Sequence, residues 1–264
     1  MLSKNQIKQI NFLKNKKYRK IYNRFVVEGK KIVNDIILSS SPNWQIDIIC
    51  ATKQWIQKND NILKDKKINI IDVSEKELQS ISCLKTPDNV LAVVKIPYQH
   101  LDIQLINSCF TLMLDEIKDP GNLGTIIRIA DWFGINNIIC SNECVDVYNP
   151  KVVQSSMGSI ARVNIFYTDL YDFLKKISSD IIVYGSCING ENIYTKKLAK
   201  NGIIIIGNES DGISKKILPF IKEKIYIPSF SPKENYKKDI DSLNAAVATG
   251  IICSEFRRQN AIKN

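Results

Sequence analysis

Residues 109–140 predict a strand, a loop, a helix and a second strand in unbroken succession. The apolar run 109–114 is followed by a Pro-Gly turn at 120–121. Beyond that turn, apolar side chains recur at helical spacing, at Leu123, Ile126, Ile127, Ala130 and Phe133. Gly134 is placed to end the helix, and the run 136–140 reads as the next strand. A strand, a helix and a strand in this order form one unit of a parallel sheet.

The C-terminal half of the chain carries four more apolar runs of this kind. With the first two, the predicted strands are 109–114, 136–140, 163–167, 181–186, 203–207 and 224–227. Runs that are nearly continuous in Ile, Val and Leu are typical of parallel sheets with helices on both faces. Residues 149–161 and 242–253 read as helices, the second one buried on nearly every side and capped by Ser242. Periodicity alone therefore predicts an open α/β sheet.

Residues 1–98 show shorter strands that alternate with helices. These strands are predicted at 25–29, 46–50, 68–73 and 90–96. Ser74 begins a helix, because Glu77 completes a capping box three residues later. A polar connection follows at 99–108. The predicted organisation is therefore a small α/β domain at 1–98, a linker at 99–108 and a larger α/β domain at 109–264.

The net charge of +10 favours a polyanionic partner, and the charge is unevenly distributed. Residues 1–31 contain ten Lys or Arg against one acid, Glu28, which gives this segment a charge of +9. Aromatic residues that can stack on bases interrupt the cluster, at Tyr18, Tyr22 and Phe25. The basic residues that we assign to RNA are Lys16, Lys17, Arg19, Lys20 and Arg24. The alternative is that Lys is abundant throughout the chain and needs no partner.

Several other classes of protein are disfavoured by composition. The longest apolar blocks are far too short to cross a bilayer and no apolar signal core opens the chain, so a cytoplasmic protein is expected. His100 is the only histidine, so a catalytic triad or a metal site that depends on histidines is disfavoured. The seven cysteines include no Cys-x-x-Cys pair and lie mostly in apolar runs. We therefore expect buried thiols, with neither disulfides nor a metal site.

Polar residues stand where predicted strands end or the last helix begins. These sets are Asn122 with Arg128, Asn208 with Glu209, and Ser242 with Asn244. Each set has an ordinary structural interpretation, in which Asn122 caps a helix, Glu209 is solvated, and the last pair merely opens a core helix. Ligands of open α/β sheets bind beyond the carboxyl ends of the strands. The three sets together are therefore candidates for one functional site.

These three stretches, in this order, resemble motifs 1, 2 and 3 of the SpoU (TrmH-like) branch of the SPOUT RNA methyltransferases. The motifs are Asn122 with Arg128 six residues later, Gly207-Asn208-Glu209, and Ile227-Pro228 followed by Ser242-Leu243-Asn244. The resemblance covers residues 110–258. The stretches 18–20, 25–29 and 90–94 resemble the L30e-like RNA-binding domain that many members carry ahead of the catalytic one.

The resemblance implies a C-terminal parallel-sheet SPOUT domain with a deep trefoil knot, preceded by a small L30e-like domain. It implies methylation of a ribose 2′-hydroxyl in structured RNA by a homodimer that uses S-adenosylmethionine and no metal. The additional N-terminal domain favours ribosomal RNA over tRNA. Two alternatives stay open, a methyltransferase that acts on tRNA and a catalytically silent RNA-binding protein such as a ribosome-assembly factor.

The resemblance also assigns roles to individual residues. The cofactor-binding residues would be Gly185, Gly207, Asn208, Ile227 and Leu243, with 185–190 forming a loop beside the cofactor. Arg128 would act on the target hydroxyl, while the other catalytic positions, Asn122, Glu209, Ser242 and Asn244, would position RNA or neighbouring groups. Because arginine stays protonated in proteins, we expect Arg128 to stabilise the incipient alkoxide and another group to accept the proton.

Overall fold

The computed structural model of the chain describes residues 1–39, 43–64, 66–101, 103, 106, 109–230 and 242–260. Contacts divide the chain into two compact units. The first contains residues 1–98 and 146–162, and the second contains residues 99–145 and 163–264. The predicted linker at 99–108 lies only partly within the described residues. The predicted domain boundaries at 98 and 109 stay a prediction.

Helices and strands follow one another along the chain, with several pairs of consecutive helices or consecutive strands. The helices are α1 (Lys4–Phe12), α2 (Lys16–Tyr22), α3 (Lys30–Leu38), α4 (Lys53–Lys58), α5 (Asp60–Leu63), α6 (Glu75–Ile81), α7 (Pro120–Trp132), α8 (Pro150–Ser155), α9 (Leu170–Leu174) and α10 (Ala245–Asn260). The strands are β1 (Arg24–Glu28), β2 (Ile46–Ala51), β3 (Ile70–Asp72), β4 (Val90–Lys95), β5 (Phe110–Leu114), β6 (Asn137–Ser141), β7 (Asn164–Thr168), β8 (Val183–Asn192), β9 (Gly202–Ile206) and β10 (Glu223–Tyr226).

The first unit is built on a mixed four-stranded sheet in the order β1-β4-β2-β3. β4 runs antiparallel to both β1 and β2, and β2 runs parallel to β3. Leu13 and Leu91 belong to its core and are 3% and 1% exposed. The predicted capping box of α6 is confirmed, because the Ser74 hydroxyl accepts from the Glu77 N–H and the Glu77 carboxylate accepts from the Ser74 N–H.

The predicted helix at 149–161 is wrong in its length. α8 ends at Ser155, and a separate 3-10 turn follows at Ser159–Ala161. Between them Gly158 has a φ of +94°, and a Cβ there would lie 2.1 Å from Oδ2 of Asp35. The chain turns at this glycine because only glycine combines the positive φ with such close approach.

The second unit is built on six parallel strands in the order β10-β8-β9-β5-β6-β7. The predicted α/β fold with a parallel sheet is confirmed. Five of the six strands predicted here agree with the structure to within one residue at each end. β5 and β9 at the centre are buried along their whole length, which explains their continuous apolar sequences. The knot implied by the resemblance stays a prediction.

Strand β8 is longer than predicted. It includes residues 185–190, which the resemblance predicts to be a loop. Pairing with β10 stops after Gly185 and resumes at Glu191, so residues 186–190 bulge out between two paired positions. The bulge leaves Ile188 74% exposed. The interpretation of 185–190 as a plain loop is therefore wrong, because the strand continues beyond it.

Helix α7 forms as predicted. The carboxylate of Asp119 caps it by accepting from the Asn122 N–H at 2.8 Å. The fully buried side chains of its apolar face are Leu123, Ile126, Ile127 and Ala130. Phe133 is only half-buried, because it lies just beyond the last helical residue. Gly134 follows with a φ of +62°, the conformation that commonly ends a helix.

Helix α10 packs against α7. Asn244 caps it by accepting from two backbone N–H groups of the first turn, at 3.0 and 3.3 Å. The prediction of Ser242 as the cap is wrong, because the helix begins only at Ala245. Val247 is 51% exposed, so the helix is not buried on nearly every side. Arg257 donates to two carbonyl groups at the carboxyl end of α7, at 2.7 and 2.9 Å.

The seven cysteines are all free thiols. Those that are buried are Cys50, Cys140, Cys144 and Cys253, and burial raises the pKa of Cys253 to about 12. Cys83 is exposed, so the prediction of a buried thiol is wrong at that position. Within the described ranges, no cluster of acids, histidine and cysteines could hold a metal ion. Nor does any helix of those ranges have the length and apolar character needed to cross a membrane.

Candidate active site

Three of the predicted catalytic residues form one hydrogen-bonded set. The side-chain amide of Asn244 donates to Oδ1 of Asn122 at 2.9 Å, and the amide of Asn122 donates to Oε1 of Glu209 at 2.6 Å. Ser242 lies at the edge of the set, with its hydroxyl 3.5 Å from the carbonyl oxygen of Glu209. Asn122 is 87 positions from Glu209 and 122 positions from Asn244, so folding alone brings them together.

The order of the strands explains why these residues meet. β5 and β9 are parallel neighbours, with Leu114 paired to Ile206 at their carboxyl ends. Asn122 lies on the first turn of the helix after β5, and Glu209 lies just after β9. Asn244 precedes α10, which packs against α7. The set therefore lies at the edge of the sheet where open α/β folds bind ligands.

The ordinary structural interpretations of these residues account for only part of their contacts. Asp119 caps α7, so the interpretation of Asn122 as the cap is wrong. Glu209 is half-buried and hydrogen-bonded, which contradicts its interpretation as a solvated side chain. Asn244 does cap a helix, but its amide group also reaches Asn122. The set therefore contains hydrogen bonds between side chains that the capping of the two helices does not require.

Arg128 lies on a different side of α7 from Asn122. They are six positions apart on the helix, which corresponds to about 9 Å along the axis and about 120° around it. Arg128 is exposed and shares one exposed strip of the helix with Thr125 and Trp132. Trp132 is 84% exposed, an unusual position for so large an apolar side chain. Within the described residues, no hydrogen bond therefore joins Arg128 to the hydrogen-bonded set.

Two hydrogen bonds join the loop after β5 to the loop after β9. The side-chain amide of Asn208 donates to the carbonyl oxygen of Glu116 at 2.9 Å. The carboxylate of Asp115 accepts from the N–H of Ser214 at 2.8 Å. The side-chain oxygen of Asn208 also accepts from two backbone N–H groups of its own turn, at 2.8 and 3.2 Å. We refer to Asp115, Glu116, Asn208 and Ser214 as the strand-end clasp.

The strand-end clasp contains unsatisfied polar atoms and a strained residue. Asp115 is 1% exposed, and its Oδ1 atom has no hydrogen-bond partner in the part of the chain that the structure describes. The same holds for Oγ of Ser214 among those residues. Glu116 has a φ of +58°, and its N–H donates to Oγ of Ser141 at 3.1 Å. Such features cluster at functional sites, where the surrounding structure maintains them.

The sequence carries only one signal for the clasp, an acid directly after the apolar run 109–114. The partner of Asp115 lies 99 positions away, and no local pattern identifies it. Asn208 is predicted to bind the cofactor, but its side chain is occupied within the clasp. Its backbone N–H donates to the Gly212 carbonyl oxygen at 2.9 Å, and its own carbonyl oxygen accepts from the Gly212 N–H at 3.0 Å, so these groups belong to the turn as well.

Three of the other predicted cofactor-binding residues lie within or directly after three neighbouring strands. β10, β8 and β9 are adjacent in the sheet, and Gly185, Gly207 and Ile227 lie on or directly after them. A Cβ at Gly207 would lie 2.3 Å from the carbonyl carbon of Gly212, so the tight turn itself requires this glycine. Leu243 is 45% exposed and Ile227 is half-buried, so both present apolar surface.

Comparison with known proteins identifies the family. Residues 109–254 match the SpoU rRNA Methylase family. The chain belongs to this family. The predicted resemblance is confirmed, and residues 4–92 of this SpoU family member match the MRM3-like substrate binding domain. RlmP of Bacillus subtilis, a 23S rRNA (guanosine(2553)-2′-O)-methyltransferase, is 27% identical over 258 residues that cover 97% of each chain.

Solved structures related to the SpoU family share the fold along the whole chain. A TrmH-family protein from Porphyromonas gingivalis is 33% identical, with a TM-score of 0.85 over 98% of this chain and 99% of that chain. The AdoMet-bound rRNA methyltransferase from Sinorhizobium meliloti is 26% identical, with a TM-score of 0.84 over 100% of this chain and 97% of that chain. The present chain is therefore an α/β RNA methyltransferase of the SpoU family.

The basic residues that the sequence assigns to RNA have different surroundings in this SpoU family member. Lys16, Lys17 and Lys20 are exposed on α2. Arg19 is 2% exposed, and its guanidinium pairs with Asp146 at 2.7 Å and donates to two backbone carbonyl groups at 2.8 and 2.9 Å. The assignment of Arg19 to RNA is therefore wrong, because the guanidinium is buried among protein partners.

Arg24 and the neighbouring aromatic residues also differ in how far they are exposed to solvent. The guanidinium of Arg24 pairs with Asp47, although its side chain is still 41% exposed. Phe25 is 0% exposed, so its predicted stacking on bases is wrong. Tyr18 is half-buried and Tyr22 is 38% exposed, which leaves part of the Tyr22 ring accessible.

Proposed function

We propose that this protein transfers the methyl group of S-adenosylmethionine to the 2′-hydroxyl of a ribose in ribosomal RNA. The observation that carries the proposal is the hydrogen-bonded set of Asn244, Asn122 and Glu209 in a chain of the SpoU family. Similarity to RlmP over 97% of the chain supports a ribose of 23S rRNA as the substrate. Because RlmP is a bacterial enzyme, the same comparison supports a cytoplasmic location.

S-adenosylmethionine would bind beside Gly185 of β8 and at the carboxyl ends of β9 and β10. The residues that would hold it are Gly185, Gly207, Asn208, Ile227 and Leu243. Two observations fit this group: Leu243 presents an exposed apolar side chain that suits adenine, and no described atom lies within 4 Å of the place that a Cβ of Gly212 would take, so the backbone of that turn is open to close approach there. When bound, the cofactor supplies a methyl group on a sulfonium that is already activated for transfer.

The hydrogen-bonded set would orient the ribose. The Asn122 amide donates to Oε1 of Glu209. The other carboxylate oxygen of Glu209 would accept a hydrogen bond from the ribose hydroxyl. Asn244 holds Asn122 in turn, and Ser242 would contact the RNA at the edge of the set. In well-oriented reactions, positioning of this kind lowers the barrier by up to about 7–11 kcal/mol.

The same proposal includes a homodimer in which Arg128 acts across the interface. Trp132 and Val247 are 84% and 51% exposed on the two helices that pack together. Burial of these side chains against a second copy would place Arg128, on the same strip as Trp132, beside the partner. There a permanently cationic guanidinium could stabilise the incipient alkoxide of the ribose. Light scattering should give the mass of two chains, and a monomer at working concentration would contradict the dimer.

Arg128→Ala tests the catalytic assignment. Because Arg128 is exposed, we expect unchanged thermal stability and nearly unchanged S-adenosylmethionine affinity by calorimetric titration. Transfer of labelled methyl to ribosomal RNA from cells that lack the protein should fall by at least about a hundredfold. Arg162→Ala is the matched control, since it removes an arginine whose side chain is 46% exposed and whose partner, Asp35, lies outside the hydrogen-bonded set. Wild-type turnover by Arg128→Ala would remove Arg128 from the mechanism.

The methylated nucleotide can be found by mapping RNA from cells with and without the protein. A 2′-O-methyl group protects the adjacent phosphodiester from alkaline cleavage. We expect one protected position of large-subunit ribosomal RNA to become cleavable when the protein is absent. Loss of a position in tRNA would support the tRNA alternative. Unchanged methylation with defective ribosome assembly would support a catalytically silent assembly factor.

A further inference from the structure

A pocket of about 390 Å³ lies in the first unit, between α1, the end of α2 and the sheet. Its apolar lining includes Ile10, Leu13 and Val93, and its polar lining includes Gln9, Tyr22 and Arg24. A pocket with an apolar floor and a few polar groups, in the range of about 300–1,000 Å³, is typical of sites for small organic groups. None of these six residues belongs to the hydrogen-bonded set described above.

A stack of three aromatic rings ends at this pocket. The rings of Phe12 and Tyr18 are 4.4 Å apart between centroids and inclined by 13°. Those of Tyr18 and Tyr22 are 6.1 Å apart and inclined by 12°. Tyr22 is 38% exposed and lines the pocket, so a further flat ring could extend the stack there. Aromatic side chains arranged in this way are the platforms on which unpaired bases stack.

Asp47 also lines the pocket and pairs with Arg24, so the preference for an anionic ligand rests on the basic segment around the pocket. Residues 1–31 carry a charge of +9, from ten Lys or Arg against one acid. Lys16, Lys17 and Lys20 are exposed on α2, whose last residue is Tyr22. A ligand that suits this site combines a flat ring, polar edges and nearby negative charge. A nucleotide within an RNA strand has all three.

We propose that this pocket binds one unpaired nucleobase of the RNA substrate. The base stacks on Tyr22 and lies against the apolar floor, while the amide of Gln9 meets its polar edge. The adjoining phosphates lie along the exposed lysines of α2. This inference rests on the proposed function and specifies what the N-terminal residues recognise. They would select a loop or bulge of the RNA, because a base within a duplex cannot enter a pocket.

The full-length Tyr22→Leu variant tests the inference in direct RNA-binding measurements. The probes are a single-stranded oligoadenylate, an abasic ribose-phosphate oligomer and an RNA duplex of equal length. Because stacking of a base on an aromatic side chain is worth about 1–3 kcal/mol, we expect affinity for the oligoadenylate to fall roughly 5- to 150-fold. Affinity for the abasic oligomer and the duplex should not change. The slope of affinity against salt concentration should also stay the same, since the phosphate contacts remain.

Two further variants make the measurement specific. Tyr98→Leu is the matched control, because Tyr98 is an 84% exposed tyrosine of the same unit that does not line the pocket. It should bind all three probes like the wild type. Gln9→Ala changes an exposed residue of α1 and should weaken only the binding of the base-containing strand. Thermal melting of each variant checks that the unit is folded.

The outcomes separate this inference from the proposed function. Undiminished oligoadenylate binding by Tyr22→Leu, or an equal loss for all three probes, would overturn the nucleobase pocket. With either result, methyl transfer to ribosomal RNA by the wild type would leave the proposed function intact. Conversely, base-dependent binding without any methyl transfer by the wild type would support the pocket and contradict the proposed function.

Discussion

Asn244 serves two hydrogen-bonding roles with one side chain. Its oxygen caps α10 by accepting from two backbone N–H groups, and its amide donates to Asn122. The first role stabilises a helix that packs against α7. The second orients the side chain that holds Glu209. The two roles can be separated because stability and methyl transfer are measured independently.

Asn244→Ala should lower both the free energy of unfolding and the rate of methyl transfer. Loss of a helix cap typically lowers the free energy of unfolding by about 1 kcal/mol. Methyl transfer should fall more than that loss explains, since Asn122 is no longer held, and we expect at least about a tenfold decrease. Asn149→Ala is the matched control, because Asn149 caps α8 by accepting from the Lys151 N–H at 2.9 Å. It should show a similar loss of stability with full activity.

Denaturant unfolding and single-turnover methyl transfer would be compared for both variants. If Asn244→Ala and Asn149→Ala lost stability equally and both kept wild-type transfer, Asn244 would be a helix cap and nothing more. The assignment of the hydrogen-bonded set to the reaction would then fail at this residue.

At the scale of elements, the strand-end clasp joins the loops that follow β5 and β9. The first of these loops leads into α7, which carries Asn122, and the second carries Glu209. The 2.6 Å hydrogen bond between these two side chains therefore depends on the relative position of the two loops. A displacement of about 1 Å near reacting groups can lower a rate by about a hundredfold.

Asn208→Ala should lower the catalytic rate constant by about a hundredfold. It removes the bond to the Glu116 carbonyl and two bonds within its own turn. Asn192→Ala is the matched control, because Asn192 also shapes a turn of the second unit by accepting from the Tyr194 N–H at 3.0 Å. Steady-state kinetics with S-adenosylmethionine and RNA varied in turn would measure the effect. A wild-type rate constant in Asn208→Ala would show that the clasp does not position the site.

The half-buried carboxylate of Glu77 holds the start of helix α6. Glu77 accepts from the N–H groups of Ser74 and Leu2 at 2.9 and 2.8 Å. These backbone hydrogen bonds, with that of Ser74 the largest cause, lower the pKa of Glu77 from 4.5 to about 2. Because the pKa is lower in the folded state, the ionised carboxylate stabilises the fold above pH 4.5. This contribution is lost as the pH falls from 4.5 to about 2.

Glu77→Gln should therefore change the acid dependence of stability. We expect the variant to be less stable than the wild type at pH 7, with a difference that shrinks as the pH falls towards 2. Denaturant unfolding at a series of pH values would measure it. Glu75→Gln is the control, since it removes another acid from the first turn of the same helix. A difference that stayed constant with pH would contradict the role assigned to the Glu77 carboxylate.

At the scale of the whole molecule, residues 146–162 pack with the N-terminal residues in one compact unit. They lie within the 109–254 region that matches the SpoU family. The salt bridge between Arg19 and Asp146 joins the two parts of this unit, with side chains only 3% and 16% exposed. Deletion of residues 1–98 would therefore uncover buried surface of 146–162. Charge reversal at the exposed lysines of α2 is the better test of RNA affinity.

Arg19→Ala should destabilise the first unit by about 3 kcal/mol, because it leaves a partly buried carboxylate without its partner. Arg162→Ala is the matched control in the same unit. Its pair with Asp35 is 46% and 25% exposed, and such pairs contribute about 0–1 kcal/mol. Denaturant unfolding would measure both variants. Equal effects of the two substitutions would contradict the importance of burial for the pair of Arg19 with Asp146.

The periodicity of the sequence predicts five of the six parallel strands and helix α7. Continuous apolar runs predict the strands of the parallel sheet, because both faces of such strands are covered. Helical spacing predicts the buried face of α7, and Gly134 its end. Both patterns depend only on neighbouring positions, which is why they can be read without the fold. The three motifs likewise indicate that polar residues of the strand ends belong to one family site.

Only the tertiary structure decided which of these residues are partners. Glu209 meets Asn122, and Asp115 meets Ser214, because β5 and β9 are neighbours in the sheet although they are distant in sequence. Arg19 and Lys20 are adjacent in a basic run, yet one is buried against a carboxylate and the other is exposed. Strand order and long-range packing determine these outcomes. A local pattern does not encode them, because it fixes the face on which a side chain lies and leaves open which distant element covers that face.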